Sequence, residues 1–282
     1  MKIKVAHSPD SDDAFMFYAI AHKKIDFAPY EFEQIMCDIQ TLSDKAVNNP
    51  EYDLSAISFH AYPHALDNYS LLSSGASMGD NYGPTLICQN NEDPKELLQK
   101  VESGDLEVAI PGLLTSAYLT LKLYSPKVQV VAIPFDQITN AVQENKYQAG
   151  LVIHEGQLNY EKLGFQKLIN LGEWWYKKTD GLPLPLGVNV IKKSLPTEVK
   201  NDLSRIMKES IEYSLNNREE ALDYALQFGR NLSKEEADKF IDMYVNELTL
   251  DLGLRGRKAV ENFLEEAYAL NLIPKAPILD IV

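Results

Sequence analysis

Strand-like and helix-like patterns alternate along this chain, and the alternation is the feature that most constrains its fold. Short apolar runs typical of buried strands occupy residues 3–6, 32–37 and 54–57, and helical patterns occupy residues 12–21 and 39–46 between them. Strands joined through a helix pair in parallel, and the helix covers a face of the sheet. The sequence therefore predicts an α/β protein with mainly parallel sheets covered by helices.

The alternation returns in the middle of the chain, where strand patterns at residues 108–110, 128–133 and 150–153 enclose helical patterns at 115–124 and 137–145. From about Pro196 the chain becomes charged and helical, and the segment from Ser233 to Glu236 fits a helical capping box. We assign no chemistry to this helical end, because such helices usually pack on a core or a partner.

Two α/β units fit a chain of 282 residues. Pro84 and the run Pro183–Gly187 are candidate crossovers between them, since proline and glycine interrupt regular elements. We expect lobe I to comprise residues 1–88 and 189–282, including the C-terminal helices, and lobe II to comprise residues 89–188.

Composition excludes several classes of function. The formal net charge is -14, and without a basic stripe the chain is not expected to bind nucleic acid or an anionic membrane. The strand-like, polar start of the chain does not fit a signal peptide, and no apolar run is long enough to span a membrane. We therefore expect a cytoplasmic protein, either a monomer or a homodimer.

Cofactor and metal motifs are also missing from the sequence. It contains no Gly-x-Gly-x-x-Gly and no Walker loop, and its two cysteines, Cys37 and Cys88, lack metal-ligand spacing. His60 and His64 have the spacing of a metal pair on a helix, but Pro63 between them favours a packing role. We expect neither a cofactor nor a metal ion.

The segment that follows the first strand contains short polar side chains, from Ser8 to Asp13. They are typical of a strand-to-helix turn in which such side chains cap free amides. The alternative is ligand recognition, and the three aspartates in this segment suit hydroxyl groups better than an anion. Ser8 and Asp13 are accordingly candidate substrate-binding residues.

A second strand-to-helix turn lies at residues 110–118. Gly112 permits a close backbone approach, and Thr115 and Ser116 place two hydroxyls where the free amides of a helix begin. This arrangement could bind a carboxylate, although Thr115 could equally be a simple helix cap. Ser58 ends another strand and is expected to face the same crevice.

His154 follows the apolar strand Ala149–Ile153. Ligands of open α/β sheets bind beyond the carboxyl ends of the strands, and an unperturbed histidine titrates at about pH 6.5. His154 is therefore either a group that exchanges a proton with a ligand or a residue that merely ends the sheet.

The run Gly75–Gly79 matches the spacing of a hydrolase nucleophile elbow around Ser77. That motif requires a helix directly after the serine, whereas turn residues follow here, so we do not expect a serine hydrolase.

Taken together, several segments resemble the 1,4-dihydroxy-6-naphthoate synthase family of the futalosine route to menaquinone. They occur in the same order along nearly the whole chain. These segments are Ser8–Tyr18, Pro111–Tyr118, Gly150–Glu155, Leu171–Trp175, Gly181–Gly187 and Tyr244–Asn246. In the first of them, Asp12 and Ala14 stand where the family often has Asn and Thr, and Ser116 replaces the second residue of a Thr-Thr pair.

The resemblance implies a two-lobed α/β fold like that of type II periplasmic binding proteins, in which each lobe is a mixed sheet flanked by helices and a ligand cleft lies between the lobes. It implies a carbon–carbon lyase that converts cyclic dehypoxanthinylfutalosine, a small carboxylate, to 1,4-dihydroxy-6-naphthoate and dihydroxyacetone. The general base of the family corresponds to His154. Its substrate-contacting segments correspond to Ala56-Ile57-Ser58 and Thr115-Ser116.

Two other functions stay open from the sequence. The first is chorismate dehydration, a sister activity of the same pathway and fold. The second is a non-catalytic protein that binds a small anion.

Overall fold

The computed structural model describes residues 1–154, 156–228, 232–276 and 278–282. Contacts within the chain divide it into two compact units. Unit 1 comprises Met1–Met78 and Pro185–Val282, and unit 2 comprises Gly79–Leu184. The sequence predicted that the chain passes from lobe I to lobe II after residue 88 and returns to lobe I after residue 188.

Unit 1 begins with alternating strands and helices, as the sequence predicted for this part of the chain. The elements, in chain order, are β1 (Lys2–His7), α1 (Ser11–Ala21), β2 (Glu31–Met36), α2 (Ile39–Asn48), β3 (Leu54–Ser58), α3 (Tyr62–Ala65), β4 (Tyr69–Leu71) and β5 (Ser77–Gly79). Ser77 thus begins a strand and not a helix, and the hydrolase elbow is not formed.

The described residues of unit 2 form five strands. Its elements are β6 (Thr85–Gln89), α4 (Pro94–Ser103), β7 (Glu107–Ile110), α5 (Ser116–Tyr124), β8 (Gln129–Ala132), a 3₁₀ turn (Phe135–Gln137), α6 (Ile138–Gln143), β9 (Ala149–Val152), α7 (Gly156–Asn159), β10 (Phe165–Asn170) and α8 (Leu171–Lys178). The strand order across its sheet is β10-β6-β9-β7-β8.

Among the described residues, the chain then completes unit 1 with one long strand and five helices. These are β11 (Leu184–Lys192), α9 (Thr197–Asn216), α10 (Arg218–Ala225), α11 (Lys234–Tyr244), α12 (Glu247–Leu250) and α13 (Gly253–Ala269). The predicted capping box is confirmed, because Ser233 and Glu236 cap the start of α11 reciprocally. In the described part of the chain, no helix is both long and apolar enough to cross a membrane.

Both sheets are mixed, which corrects the prediction of mainly parallel sheets drawn from the alternation. In unit 1 the order is β2-β1-β3-β11-β4, and β5 also pairs with β11. β1 is parallel to β2 and β3, whereas β11 is antiparallel to β3 and β4. In unit 2, β7 is parallel to β8 and β9, whereas β6 is antiparallel to β9 and β10. An apolar run shows that a strand is buried but not in which direction it runs.

The largest core of unit 1 lies between α1 and the C-terminal helices. Nearly every residue of α1 is buried, and its apolar side chains belong to one cluster with residues of α9, α10 and α11. Ser210 of α9 donates a buried hydrogen bond of 2.7 Å to the carbonyl of Met16. The charged C-terminal helices are therefore part of the packing that holds α1 in place.

We expect the variant Ile206→Ala to lower the free energy of unfolding by about 2–5 kcal/mol, because it leaves a cavity in this cluster. Ile206 is only 1% exposed on α9. Asn201→Ala, at an exposed position of the same helix, is the matched control and should change stability by less than about 0.5 kcal/mol. Urea unfolding of both variants measures the difference, and equal losses would show that α9 does not form part of the core.

Candidate functional site

Parallel pairing in unit 2 brings three loops to one edge of its sheet. β7, β8 and β9 end at Ile110, Ala132 and Val152. Since β7 is parallel to both neighbours, these carboxyl ends lie at the same edge. The loops that follow them contain Thr115, Phe135 and His154, in the position where open α/β sheets bind ligands.

The ring of His154 is half-buried two residues after β9. Its Nδ1 accepts a hydrogen bond of 3.0 Å from the backbone N–H of Gly156. A nitrogen that accepts this bond holds no proton, so the neutral ring has its proton on Nε2. In this arrangement His154 can take up a proton only at Nδ1, and the bond to Gly156 must then break.

Gly156 is required for this arrangement. A Cβ atom at Gly156 would lie 2.8 Å from Cε1 of His154 and 3.2 Å from its Nδ1, closer than ordinary carbon contacts. The edge of the ring also faces Phe135, with the two ring centroids 5.8 Å apart. Glu155, the last residue of the motif that contains His154, lies outside the described residues.

Sequence reasoning did not identify either Gly156 or Phe135 as part of the site. A glycine directly after the His-Glu pair was a usable signal for a close backbone approach. Phe135 gave no signal, since it comes from another loop and reaches His154 only through the strand order of the sheet.

Thr115 is the N-cap of α5. Its hydroxyl accepts from the N–H of Tyr118 at 3.2 Å and donates to the carbonyl of Gly112 at 2.8 Å. Gly112 has a φ of 153°, a conformation that favours glycine. Thr115 and Ser116 are both buried. Capping is thus an observed role of Thr115, and its hydroxyl holds the turn that positions the first amides of α5.

In unit 1, a network of hydrogen bonds orders the loop after β1. The backbone N–H of Ser8 donates to Oδ2 of Asp13 at 2.7 Å, and the hydroxyl of Ser8 donates to Oδ2 of Asp10 at 2.9 Å. Ser8 and Asp13 are buried, and Asp10 is half-buried. Burial raises the pKa of the Asp13 carboxyl above its ordinary value, while His7 and the Ser8 hydrogen bonds lower it.

The segment Ala56-Ile57-Ser58 ends β3, the strand beside β1. All three residues are buried, and Ile57 is wholly inaccessible. The N–H of Ser58 donates to the hydroxyl of Ser43 at 3.1 Å, and the hydroxyl of Ser58 accepts from the N–H of Ala61 at 3.2 Å. Because β1 and β3 are parallel, Ser58 and Ser8 lie at the same edge of the sheet.

The candidate residues therefore form two sets, and each set belongs to a different unit. Ser8, Asp13 and Ser58 lie at the carboxyl edge of the sheet in unit 1, and Thr115, Ser116 and His154 lie at the carboxyl edge of the sheet in unit 2.

No metal-binding cluster of three or more His, Cys, Asp or Glu side chains is found among the described residues. The His60 and His64 rings contact each other edge to face, with centroids 5.8 Å apart. Burial lowers the pKa of His64. Cys37 and Cys88 are free thiols, and burial raises the pKa of Cys88 to about 11.

Comparison with known proteins relates nearly the whole chain to one family. A family model described as menaquinone biosynthesis matches residues 3–269. A protein of Thermus thermophilus named 1,4-dihydroxy-6-naphthoate synthase is 34% identical over 275 residues, covering 98% of this chain and 97% of its own length. A Streptomyces coelicolor protein of the same name is 31% identical over 278 residues, covering 96% of this chain and 95% of its own length.

Solved structures agree on the fold. A crystal structure of a protein from Archaeoglobus fulgidus has a TM-score of 0.89 at 42% identity, covering 96% of this chain and 98% of that one. The ligand-binding component of an ABC-type import system from Staphylococcus aureus has a TM-score of 0.71 at 16% identity, covering 98% of this chain and 94% of that one. The alkanesulfonate-binding protein of Xanthomonas axonopodis has a TM-score of 0.70 at 12% identity, covering 100% and 98%. The predicted fold like that of periplasmic binding proteins is confirmed.

We expect Gly156→Ala to displace the His154 ring and break its bond to the backbone. The imidazole ¹⁵N resonances of His154, measured on the full chain, should then no longer report a single neutral form with the proton on Nε2. Gly187→Ala is the control, because a Cβ there meets only ordinary contacts, the nearest at 3.8 Å. Unchanged His154 resonances in Gly156→Ala would contradict the described hydrogen bond.

Proposed function

We propose that this chain, which belongs to the menaquinone biosynthesis family and is an enzyme of that pathway, converts cyclic dehypoxanthinylfutalosine to 1,4-dihydroxy-6-naphthoate with release of dihydroxyacetone. The observation that carries the proposal is the similarity to two naphthoate synthases over at least 95% of every chain compared. The motif-based family assignment is confirmed by the same matches.

His154 is the general base of the proposed reaction. The loss of a sugar-derived fragment from a cyclised substrate requires removal of a proton from carbon or from a hydroxyl group. A histidine suits this step because its ordinary pKa is close to neutral pH. The hydrogen bond from Gly156 adds a condition, since the proton must go to Nδ1 and the Gly156 N–H must first turn away. Formation of an aromatic product then drives the reaction forward.

The remaining candidate residues bind the substrate in this proposal. Thr115 and Ser116 present hydroxyls at the start of α5, where the first amides have no acceptor inside the helix and favour a carboxylate. Ser8 and Asp13 bind hydroxyl groups, because a carboxylate at Asp13 would repel an anion. Ala56, Ile57 and Ser58 contribute the end of β3, where the burial of all three side chains favours contact through the backbone and the Ser58 hydroxyl.

The direct test is turnover by the purified protein, followed by mass spectrometry. Cyclic dehypoxanthinylfutalosine should give 1,4-dihydroxy-6-naphthoate and dihydroxyacetone, and chorismate in a parallel incubation should stay unchanged. Dehydration of chorismate would instead identify the sister activity. Binding of the futalosine derivative without any product would identify a binding protein, and either result would overturn the proposal.

We expect His154→Ala to lower kcat by about 10²–10⁴-fold, the usual contribution of general acid–base catalysis. His64→Ala is the matched control, because it removes a half-buried imidazole that has no role in the proposal. Steady-state kinetics of both variants, at a temperature where each is folded by circular dichroism, makes the comparison. Full activity of His154→Ala would remove His154 from the mechanism.

Ser116→Ala should raise KM by about two- to tenfold with little change in kcat, as expected for loss of one hydrogen bond to the substrate. Ser116 does not provide the cap of α5, so the helix should keep its stability. Thr120→Ala, deeper in the same helix, is the comparison variant, since its buried hydroxyl donates to the Ser116 carbonyl at 2.7 Å. Equal KM values for Ser116→Ala and the wild type would exclude the Ser116 hydroxyl from binding.

A further inference from the structure

A second histidine lies at the end of β1, directly before the loop that contains Ser8, and the sequence indicated no role for it. His7 is the last residue of β1 and is completely buried. Its ring lies flat against Phe17 of α1, with centroids 4.4 Å apart and an angle of 8° between the planes. This stacking sets the plane of the ring.

The Nδ1 atom of His7 lies 2.8 Å from the carbonyl oxygen of Ser8. A carbonyl oxygen only accepts hydrogen bonds, so Nδ1 of His7 carries the proton. The N–H of the same Ser8 donates to Asp13 at 2.7 Å. The backbone of Ser8 is therefore held by His7 through its C=O and by Asp13 through its N–H.

The other ring nitrogen, Nε2, is buried and has no hydrogen-bond partner in the described part of the chain. With the proton on Nδ1, this nitrogen has a free lone pair in the neutral ring. A second proton on the ring would therefore go to Nε2 and would leave the bond to Ser8 intact. His154 differs, because its protonation requires loss of a hydrogen bond.

Asp13 is the group that responds to this charge. Among the described residues, the titratable groups that act on its carboxyl are His7, which favours ionisation, and Asp10, which opposes it. Burial also opposes ionisation and is the largest influence. Of these two described neighbours, His7 is the one that favours the charged form of Asp13.

We propose that His7 is a positioning residue that holds the Ser8 backbone against Asp13 and controls whether the Asp13 carboxyl is ionised when substrate binds. The inference deepens the proposed function and depends on it, since Asp13 is a substrate-binding residue only there. The substrate groups concerned are hydroxyls. An ionised Asp13 accepts hydrogen bonds from them, and a neutral Asp13 can also donate one to them.

Two substitutions separate the two parts of the proposal. His7→Phe keeps an aromatic ring that can stack on Phe17, but it removes both the charge and the bond to Ser8. His7→Asn removes the charge but offers a side-chain N–H close to the former Nδ1 position. In both variants the Asp13 carboxyl should ionise at a higher pH than in the wild type. Only His7→Phe should also loosen the Ser8 backbone.

The experiment follows the Asp13 carboxyl by ¹³C NMR across a pH series, in the full chain labelled with ¹³C-aspartate and without substrate. Asp13→Asn identifies the resonance. We expect the titration midpoint of Asp13 to rise by about one pH unit or more in both His7 variants. An unchanged midpoint in the folded variants, or in His7→Asn alone if His7→Phe does not fold, overturns the proposal.

Kinetics provides the second measurement. Above the Asp13 midpoint, His7→Phe should raise KM about two- to tenfold, whereas His7→Asn should stay close to the wild type. A purely structural His7 would instead change KM without moving the Asp13 midpoint. The NMR titration needs no substrate, so it tests the link between His7 and Asp13 even if the wild-type protein shows no turnover. Absence of turnover would refute the proposed function alone.

Discussion

Parallel strand pairing decides where this protein can carry out chemistry. In unit 2, pairing of β7 with both β8 and β9 brings the loops after Ile110, Ala132 and Val152 to one edge of a sheet. In unit 1, pairing of β1 with β3 does the same for the residues after His7 and for Ser58. The polar candidate residues lie at or just after the carboxyl ends of strands, while the strand interiors are packed with apolar side chains. Within either sheet, a change in the direction of one strand would move its carboxyl end to the opposite edge, away from the other candidate residues of that unit.

His154 and His7, which lie at these edges, are held in opposite tautomers. Nδ1 of His154 accepts from a backbone N–H, whereas Nδ1 of His7 donates to a backbone C=O. Protonation of His154 is therefore tied to a backbone movement at Gly156, and protonation of His7 is not. This difference suits His154 to a proton transfer that occurs only when a ligand rearranges its loop. It suits His7 to a fixed electrostatic role beside Asp13.

Much of this organisation could be predicted from the order of residues. The alternation of strands and helices indicated the α/β class, and the capping box at Ser233 indicated the start of α11. The direction of β11 could not be predicted, because a buried strand has the same composition in either direction. The roles of His7 and Gly156 depend on which nitrogen of a histidine ring is protonated. They also depend on the distance of about 3 Å between Nδ1 of that ring and a backbone N–H or C=O. Such features arise from packing and are not visible in spacing.

In the proposed reaction His154 acts on the substrate by accepting a proton at Nδ1. A crystal structure of the protein with bound 1,4-dihydroxy-6-naphthoate would test this role. We expect Nδ1 of His154 to have left Gly156 and to lie within about 2.6–3.2 Å of an oxygen or a ring carbon of the naphthoate. Bound naphthoate beyond the reach of His154, with the bond to Gly156 still formed, would rule out this role.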